Sequence, residues 1–210
     1  MKRHRASSSV QTGKSAPQVK ALISRARIAR RLGELAREIR RAIPPRERPI
    51  AIIVLQGAFI FGADLLRRFP RDYPIDVAFL RCQSYGSATY SSGHVLLMQD
   101  IEPSVDLRGR TVLLIDDILD SGLTTRFLLS HLARRGAKRI RLCVLLHRKA
   151  DAVALSERNG ALTGTGGERP TPDFAGFPVG PHFVVGYGLD YAGKYRNLPD
   201  LSVLLNRKPR

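Results

Sequence analysis

An α/β fold, with a central, mainly parallel sheet flanked by helices, is what this sequence predicts. Three observations carry that prediction. Short apolar runs rich in β-branched and aliphatic residues recur at 50–55, 112–115 and 139–147, as expected of strands covered on both faces. Between them lie segments with helical rather than alternating periodicity, the arrangement that builds parallel strands through crossovers. Residues 111–125, TVLLIDDILDSGLTT, then run from a buried strand into two carboxylates and a loop of glycine and hydroxyl residues. Ligands collect at such strand ends in open α/β sheets.

In chain order, residues 1–17 are polar, basic and serine-rich and read as a disordered tail. Residues 18–206 read as a single domain. It opens with a short strand over 19–23, and Ser24 is a plausible N-cap for the helix that follows. Ile28, Leu32, Leu35, Ile39 and Ile43 form one apolar stripe along that helix, arginines occupy its other faces, and Pro44 and Pro45 end it. A buried strand over 50–55 turns at Gln56 and Gly57 into a helix, AFIFGADLLRRF, and the next strand spans 74–83. Residues 84–94, SYGSATYSSGH, hold turn residues without an apolar period and lie between two strands, so they read as a mobile hairpin.

The strand at 112–115 is expected to end just before Asp116 and Asp117. Asp120, Ser121, Gly122, Leu123, Thr124 and Thr125 lead into FLLSHLARRG, a helix that stops at Gly136. A helix start offers unpaired backbone amides and a positive dipole end, which together hold a phosphate. Gly122 lets the backbone approach the anion, while Ser121, Thr124 and Thr125 add hydroxyl donors. Three other readings compete. A P-loop fails because Ser8 stands where the first glycine before Gly13, Lys14 and Ser15 is required. A calcium loop counted from Asp116 fails at Ile118 and Ser121. An ordinary acidic strand-to-helix turn is left, and it does not account for the third carboxylate, the glycine and the hydroxyl cluster together.

The strand at 139–147 ends in His147, Arg148 and Lys149. Residues 154–172, with GALTGTGG, read as a surface insertion. Short strands follow at 173–177 and 183–187, and a last one at 202–205 precedes a basic end.

Residues 115–125 resemble the phosphoribosyl-pyrophosphate motif of the type I phosphoribosyltransferases, most closely the hypoxanthine-guanine branch. The aspartate at 120 points to that branch. PHFVVGYGLDY at 181–191 is the second strong match, and the resemblance can be followed from about Val19 to Leu205. It implies a Rossmann-like fold with a small hood and a flexible flap hairpin at 84–94, in which Ser84 and Tyr85 close over the substrates. The implied reaction is displacement of pyrophosphate from 5-phosphoribosyl 1-pyrophosphate by a purine base, hypoxanthine or guanine, with Mg2+ as cofactor. Asp120 would be the general base, and Asp116 and Asp117 would accept from the ribose hydroxyls. Residues 120–125, Leu123 included, would hold the 5-phosphate.

The same resemblance gives Gln56 and Gly57 to the pyrophosphate loop, where the family usually carries a cation at position 56. Arg148 would meet the purine oxo group, with Lys149 as the adjacent alternative. Phe183 would stack on the base, Val184 would read it through its backbone, and Asp190 with Asp116 would hold the metal. Arg196 would meet pyrophosphate. A homodimer or homotetramer is the expected assembly.

With 210 residues and 43% hydrophobic content, one well-buried domain is expected. No run is long enough to span a membrane, and no apolar segment follows the basic N-terminus, so neither a membrane protein nor a secretory signal is expected. Cys82 and Cys143 lie in strand-like surroundings and read as buried thiols of a cytoplasmic protein. A net charge of +17, from 35 Lys+Arg against 18 Asp+Glu, raises nucleic acid as a partner. The excess is dispersed and lacks aromatic interleaving, so a solvated basic surface is the preferred reading. The alternative function is a phosphoribosyltransferase-fold regulator that binds RNA or DNA; Gln56 favours it, while Asp120, Asp190 and Arg196 argue against it.

Overall fold

The computed structural model describes residues 18–84, 95–148 and 168–205. The tail at 1–17, Tyr85 and the rest of the expected flap to 94, Lys149 and most of the insertion at 154–172 lie outside the described residues.

The main sheet contains β2 (Ile50–Leu55), β3 (Asp76–Ser84), β4 (Val95–Gln99), β5 (Thr111–Leu119), β6 (Arg139–Arg148) and β7 (Phe174–Val179), in spatial order β4-β3-β2-β5-β6-β7. All neighbours are parallel except β3 and β4, whose antiparallel pairing ends at Ser84 opposite Val95. The residues flanking the expected flap are therefore hairpin partners. Helix α2 (Phe59–Leu66) joins β2 to β3, and α3 (Leu123–Arg134) joins β5 to β6. From β2 the chain moves to one side of the sheet, and from β5 to the other. The β2/β5 boundary is thus the point where strand order reverses, and in open α/β sheets ligands bind beyond the carboxyl ends of the strands at such a point.

Side chains alternate along each strand, so the sheet divides two cores. Ile53, Leu113, Ile115, Cys143 and Leu145 pack on one face with Phe61 and Leu65 of α2 and the stripe of α1 (Arg25–Ala42). Ile52, Val54, Val112, Leu114 and Val144 pack on the other face with Leu128 and Leu132 of α3. Burial on both faces explains why these strands read as unbroken apolar runs. In α1 the stripe of Ile28, Leu32, Leu35 and Ile39 is buried, and the Ser24 side chain caps the helix by accepting from Arg27 N at 3.4 Å. A short 3-10 turn over Pro45–Glu47 follows.

A second, antiparallel sheet of β1 (Val19–Ile23), β9 (Leu201–Leu204) and β8 (Val184–Val185), in the order β1-β9-β8, forms the small hood.

The structure moves several expected boundaries. Strand β5 does not stop at 115 but carries Asp116 and Asp117 within it, because its register with β6 continues to Leu119 opposite His147. Helix α3 begins at Leu123, so Thr124 and Thr125 belong to its first turn rather than to a loop before it. β7 runs to Val179, with pairs as far as Arg148 opposite Val179. Phe183 stands just before β8, which is only two residues long, and at its other end Gly186, with a φ of +93°, turns the chain away after Val185.

Candidate active site

The site lies where β2 and β5 end side by side. Asp116 is buried, and its Oδ1 accepts from Asp117 N at 2.9 Å; Asp117 Oδ1 accepts from Ile118 N at 2.7 Å. Among the described residues neither carboxylate forms an ion pair. Burial, followed by repulsion from Asp117, pushes Asp116 well above the usual carboxylate range, and burial raises Asp117 as well. The crowding is felt on β3, where burial and then the charges of Asp116 and Asp117 push the Cys82 thiol up to about 12.

Gly57 packs directly on this pair. A Cβ at position 57 would stand 1.6 Å from Asp117 Oδ2, so no side chain fits there while Asp117 keeps its place. The peptide before it, Leu55–Gln56, is cis. Gly188, with φ +101°, closes the other side: its added Cβ would stand 2.4 Å from the carbonyl oxygen of Gly57. The turn at Gln56 and Gly57 is therefore held between the acidic strand and the hood's connection between β8 and β9.

Arg196 reaches the same turn. Its Nη1 donates to Gly188 O at 2.6 Å, and its Nη2 lies 2.7 Å from Asp190 Oδ1 and donates to Gln56 Oε1 at 3.4 Å. Asp190 Oδ2 also accepts from Gly193 N at 2.7 Å. Gln56, Asp190 and Arg196, scattered in sequence, thus make one cluster.

Asp120 stands in a different environment. Arg148 Nε donates to its Oδ1 at 2.7 Å, and the Arg148 guanidinium, 4% exposed, also donates from Nη1 to the carbonyls of Gly180 and His182. One buried arginine therefore ties Asp120 to the segment that leads into Phe183 and Val184. The Phe183 ring meets Tyr191 edge-on at 5.6 Å, and Val184 is buried.

Gly122, with φ +85°, caps α3, and its carbonyl starts the helix by accepting from Arg126 N at 2.8 Å. A left-handed residue here is what lets the chain leave β5 and enter the helix within three residues. Ser121 Oγ accepts from Leu123 N at 3.4 Å, Thr125 is buried, and Thr124 is half-buried. The first turn of α3 carries no acidic residue, leaving its dipole end suited to an anion.

Ser84 ends β3 at the mouth of the expected flap; Tyr85 lies outside the described residues. Among the described residues no group of three or more His, Cys, Asp or Glu side chains could hold a metal ion unaided.

Sequence reasoning misses two participants. Arg169 donates from Nε to the carbonyl of Asp120 at 2.8 Å and from Nη2 to those of Leu119 at 2.8 Å and Arg148 at 3.1 Å. It falls in the stretch that reads as a surface insertion, and a long-range donor to carbonyls leaves no local pattern. Tyr187 adopts φ +50° and donates its hydroxyl to Asp64 Oδ2 at 2.6 Å, anchoring the hood's β8–β9 connection to α2; burial, then this contact, raises its phenol above the usual range.

The phosphoribosyl transferase domain profile matches residues 18–182. The chain is 41% identical over 189 residues to the hypoxanthine-guanine phosphoribosyltransferase of Bacillus subtilis, covering 88% of this chain and 92% of that protein. It is 40% identical over 185 residues to the bifunctional protein TilS/HprT of Listeria innocua, of which it spans 26%, with 88% of this chain covered. Among solved structures, a hypoxanthine-guanine phosphoribosyltransferase of Bacillus anthracis superposes with a TM-score of 0.74 at 33% identity, covering 90% of this chain and 100% of that one. Strand order, the acidic β5 end and these likenesses agree, and the chain belongs to the phosphoribosyltransferase family, in its hypoxanthine-guanine branch.

Proposed function

We propose that this protein transfers a 5-phosphoribosyl group from 5-phosphoribosyl 1-pyrophosphate to a ring nitrogen of a 6-oxopurine, hypoxanthine or guanine. The products are the nucleoside monophosphate and pyrophosphate. The observation that carries the proposal is the Arg148–Asp120 pair, which sets a carboxylate and a buried donor together between the phosphate-type turn and the segment carrying Phe183.

The amides of the first turn of α3, with Ser121, Thr124 and Thr125, bind the 5-phosphate. Asp116 and Asp117 accept from the ribose hydroxyls and face the cationic charge that develops at the anomeric carbon. Asp120 takes the ring proton of the purine as the nitrogen attacks, a general-base contribution of about 10²–10⁴-fold. Arg148 has only donors, so it favours an oxo group over the amino group of adenine. Its burial and its pairing with Asp120 support it over Lys149 as the purine contact. Phe183 stacks on the base and the Val184 backbone reads it. Gly57 brings its turn against pyrophosphate, and Arg196 supplies the cation that Gln56 does not.

Asp116 and Asp190 offer the hard oxygen donors that Mg2+ takes, and the two crowded carboxylates of β5 favour a nearby cation. With so few protein donors, substrate oxygens would supply the remaining ligands, and the ion when bound would neutralise the leaving pyrophosphate. Ser84 and Tyr85 close the site against water.

The working compartment is the cytoplasm, where the unpaired thiols of Cys82 and Cys143 stay reduced. Val77, Phe79, Leu96 and Met98 expose an apolar face on β3 and β4, which supports a homodimer or homotetramer.

The test incubates purified protein with Mg2+, 5-phosphoribosyl 1-pyrophosphate and each nucleobase separately. Monophosphate should form with hypoxanthine or guanine and not with adenine. Turnover of adenine alone, or of no base, refutes the proposal.

A further inference from the structure

The register between β5 and β6 ends at Leu119 opposite His147, one residue short of both Asp120 and Arg148. Past that point the sheet's own ladder no longer fixes the two strands relative to each other. The guanidinium of Arg169 stands where the ladder stops. It donates to Leu119 O and Asp120 O on the β5 side and to Arg148 O on the β6 side, at 2.8, 2.8 and 3.1 Å. Two of these carbonyls belong to the residues whose side chains meet at 2.7 Å in the Arg148–Asp120 pair, and the third is that of Leu119, the residue before Asp120. The neighbouring Pro170 fixes where Arg169 stands: a Cβ on Gly122 would come within 2.7 Å of Pro170 Cδ and 3.2 Å of Arg169 Cγ, so this segment lies directly over the turn.

We infer that Arg169 is a positioning residue for the transfer, tying the backbone of the general base Asp120 to that of the purine-contacting Arg148 across the open end of the sheet. This rests on the transferase reading above. A guanidinium suits the task because its planar fork serves several carbonyls at once, whereas an ammonium keeps the charge without the fixed geometry. Misplacing catalytic groups by about 1 Å costs on the order of 10²-fold in rate. Two of the three contacts go to the base-handling residues Asp120 and Arg148, the third to the adjacent Leu119, and none to the ribose carboxylates Asp116 and Asp117, so loss of the fork should separate the two substrates.

The experiment compares wild type with Arg169→Lys, which keeps the charge and the aliphatic stem over Gly122. Steady-state kinetics are run with hypoxanthine and guanine. Binding of 5-phosphoribosyl 1-pyrophosphate with Mg2+ is measured by calorimetry without purine, and thermal unfolding is followed in parallel. The expected result is a 10–100-fold lower kcat and a raised purine KM, with donor affinity within about threefold of wild type and an unchanged melting temperature. An Arg169→Lys enzyme with wild-type kcat and purine KM overturns the inference while leaving the transferase reading intact. So does a loss of kcat matched by equal losses of donor affinity or melting temperature, which marks a residue of the fold. A wild-type protein that turns over no purine removes the transferase reading and this inference with it.

Discussion

Three aspartates fall within five residues at the end of β5, yet the two ends of that short stretch are built in opposite ways. Asp116 and Asp117 are crowded against each other and against Gly57, without an ion-pair partner among the described residues, and burial raises both. Asp120 faces a buried arginine at 2.7 Å, and its carbonyl is held by a second arginine. The same residue type is thus suited to two different tasks because its neighbours differ. Under the proposed reaction, the crowded pair would face the ribose donor and its cation, and the arginine-held carboxylate would face the purine.

The largest way to break this comparison is at the paired end. Asp120→Asn keeps the shape of the side chain and should lower kcat by about 10²–10⁴-fold with little change in melting temperature. Near-wild-type turnover would show that Asp120 is not the base. At the crowded end, Gly57→Ala drives a methyl into Asp117 and should cost about 1–3 kcal/mol of stability, read from denaturant midpoints, together with activity. An unchanged midpoint would mean that Asp117 has room to swing away.

Asp116→Asn tests the sign of the electrostatics. The folded protein holds Asp116 above its unfolded value, so the charged form weakens the fold at neutral pH. Stability should therefore rise as pH falls through the folded-state value, until the ordinary carboxylate range is reached. The asparagine variant should be about 0.5–2 kcal/mol more stable at neutral pH, lose that dependence, and bind the ribose donor poorly. A destabilised variant at neutral pH would contradict the crowding. The smallest effect is expected of Gln56→Lys, which adds a cation beside Arg196 and should tighten pyrophosphate by about 0.2–1 kcal/mol in calorimetry.

Much of this architecture is legible in the order of residues alone. The strands of the main sheet are apolar on both faces, so their runs are continuous and hard to mistake, and the α1 stripe keeps helical spacing from Ile28 to Ile43. The acidic and hydroxylated turn is local, so its chemistry shows in its own short stretch. The end of β5 is harder to place: a carboxylate suggests that a strand has stopped, whereas pairing with β6 carries the backbone on regardless of side chain. Apolar neighbours likewise suggest a strand through Phe183, and the left-handed Gly186 cuts that strand short. Arg169, and the contact of Gln56 with Arg196, depend on residues far apart in sequence meeting at strand ends. Only the assembled sheet decides such meetings.

The small sheet carries a consequence for how the molecule is made. Strand β1 emerges early in synthesis, but its sheet partner β9 extends to residue 204, and Val19 is paired with Leu204 itself. The strand bearing Val184 needs that same late partner. A nascent chain can therefore complete β2, β5 and the phosphate-type turn while the hood that carries the proposed base platform is still unformed, since contacts so distant in sequence close last. On the ribosome, competence to hold a sugar phosphate should precede competence to hold a purine.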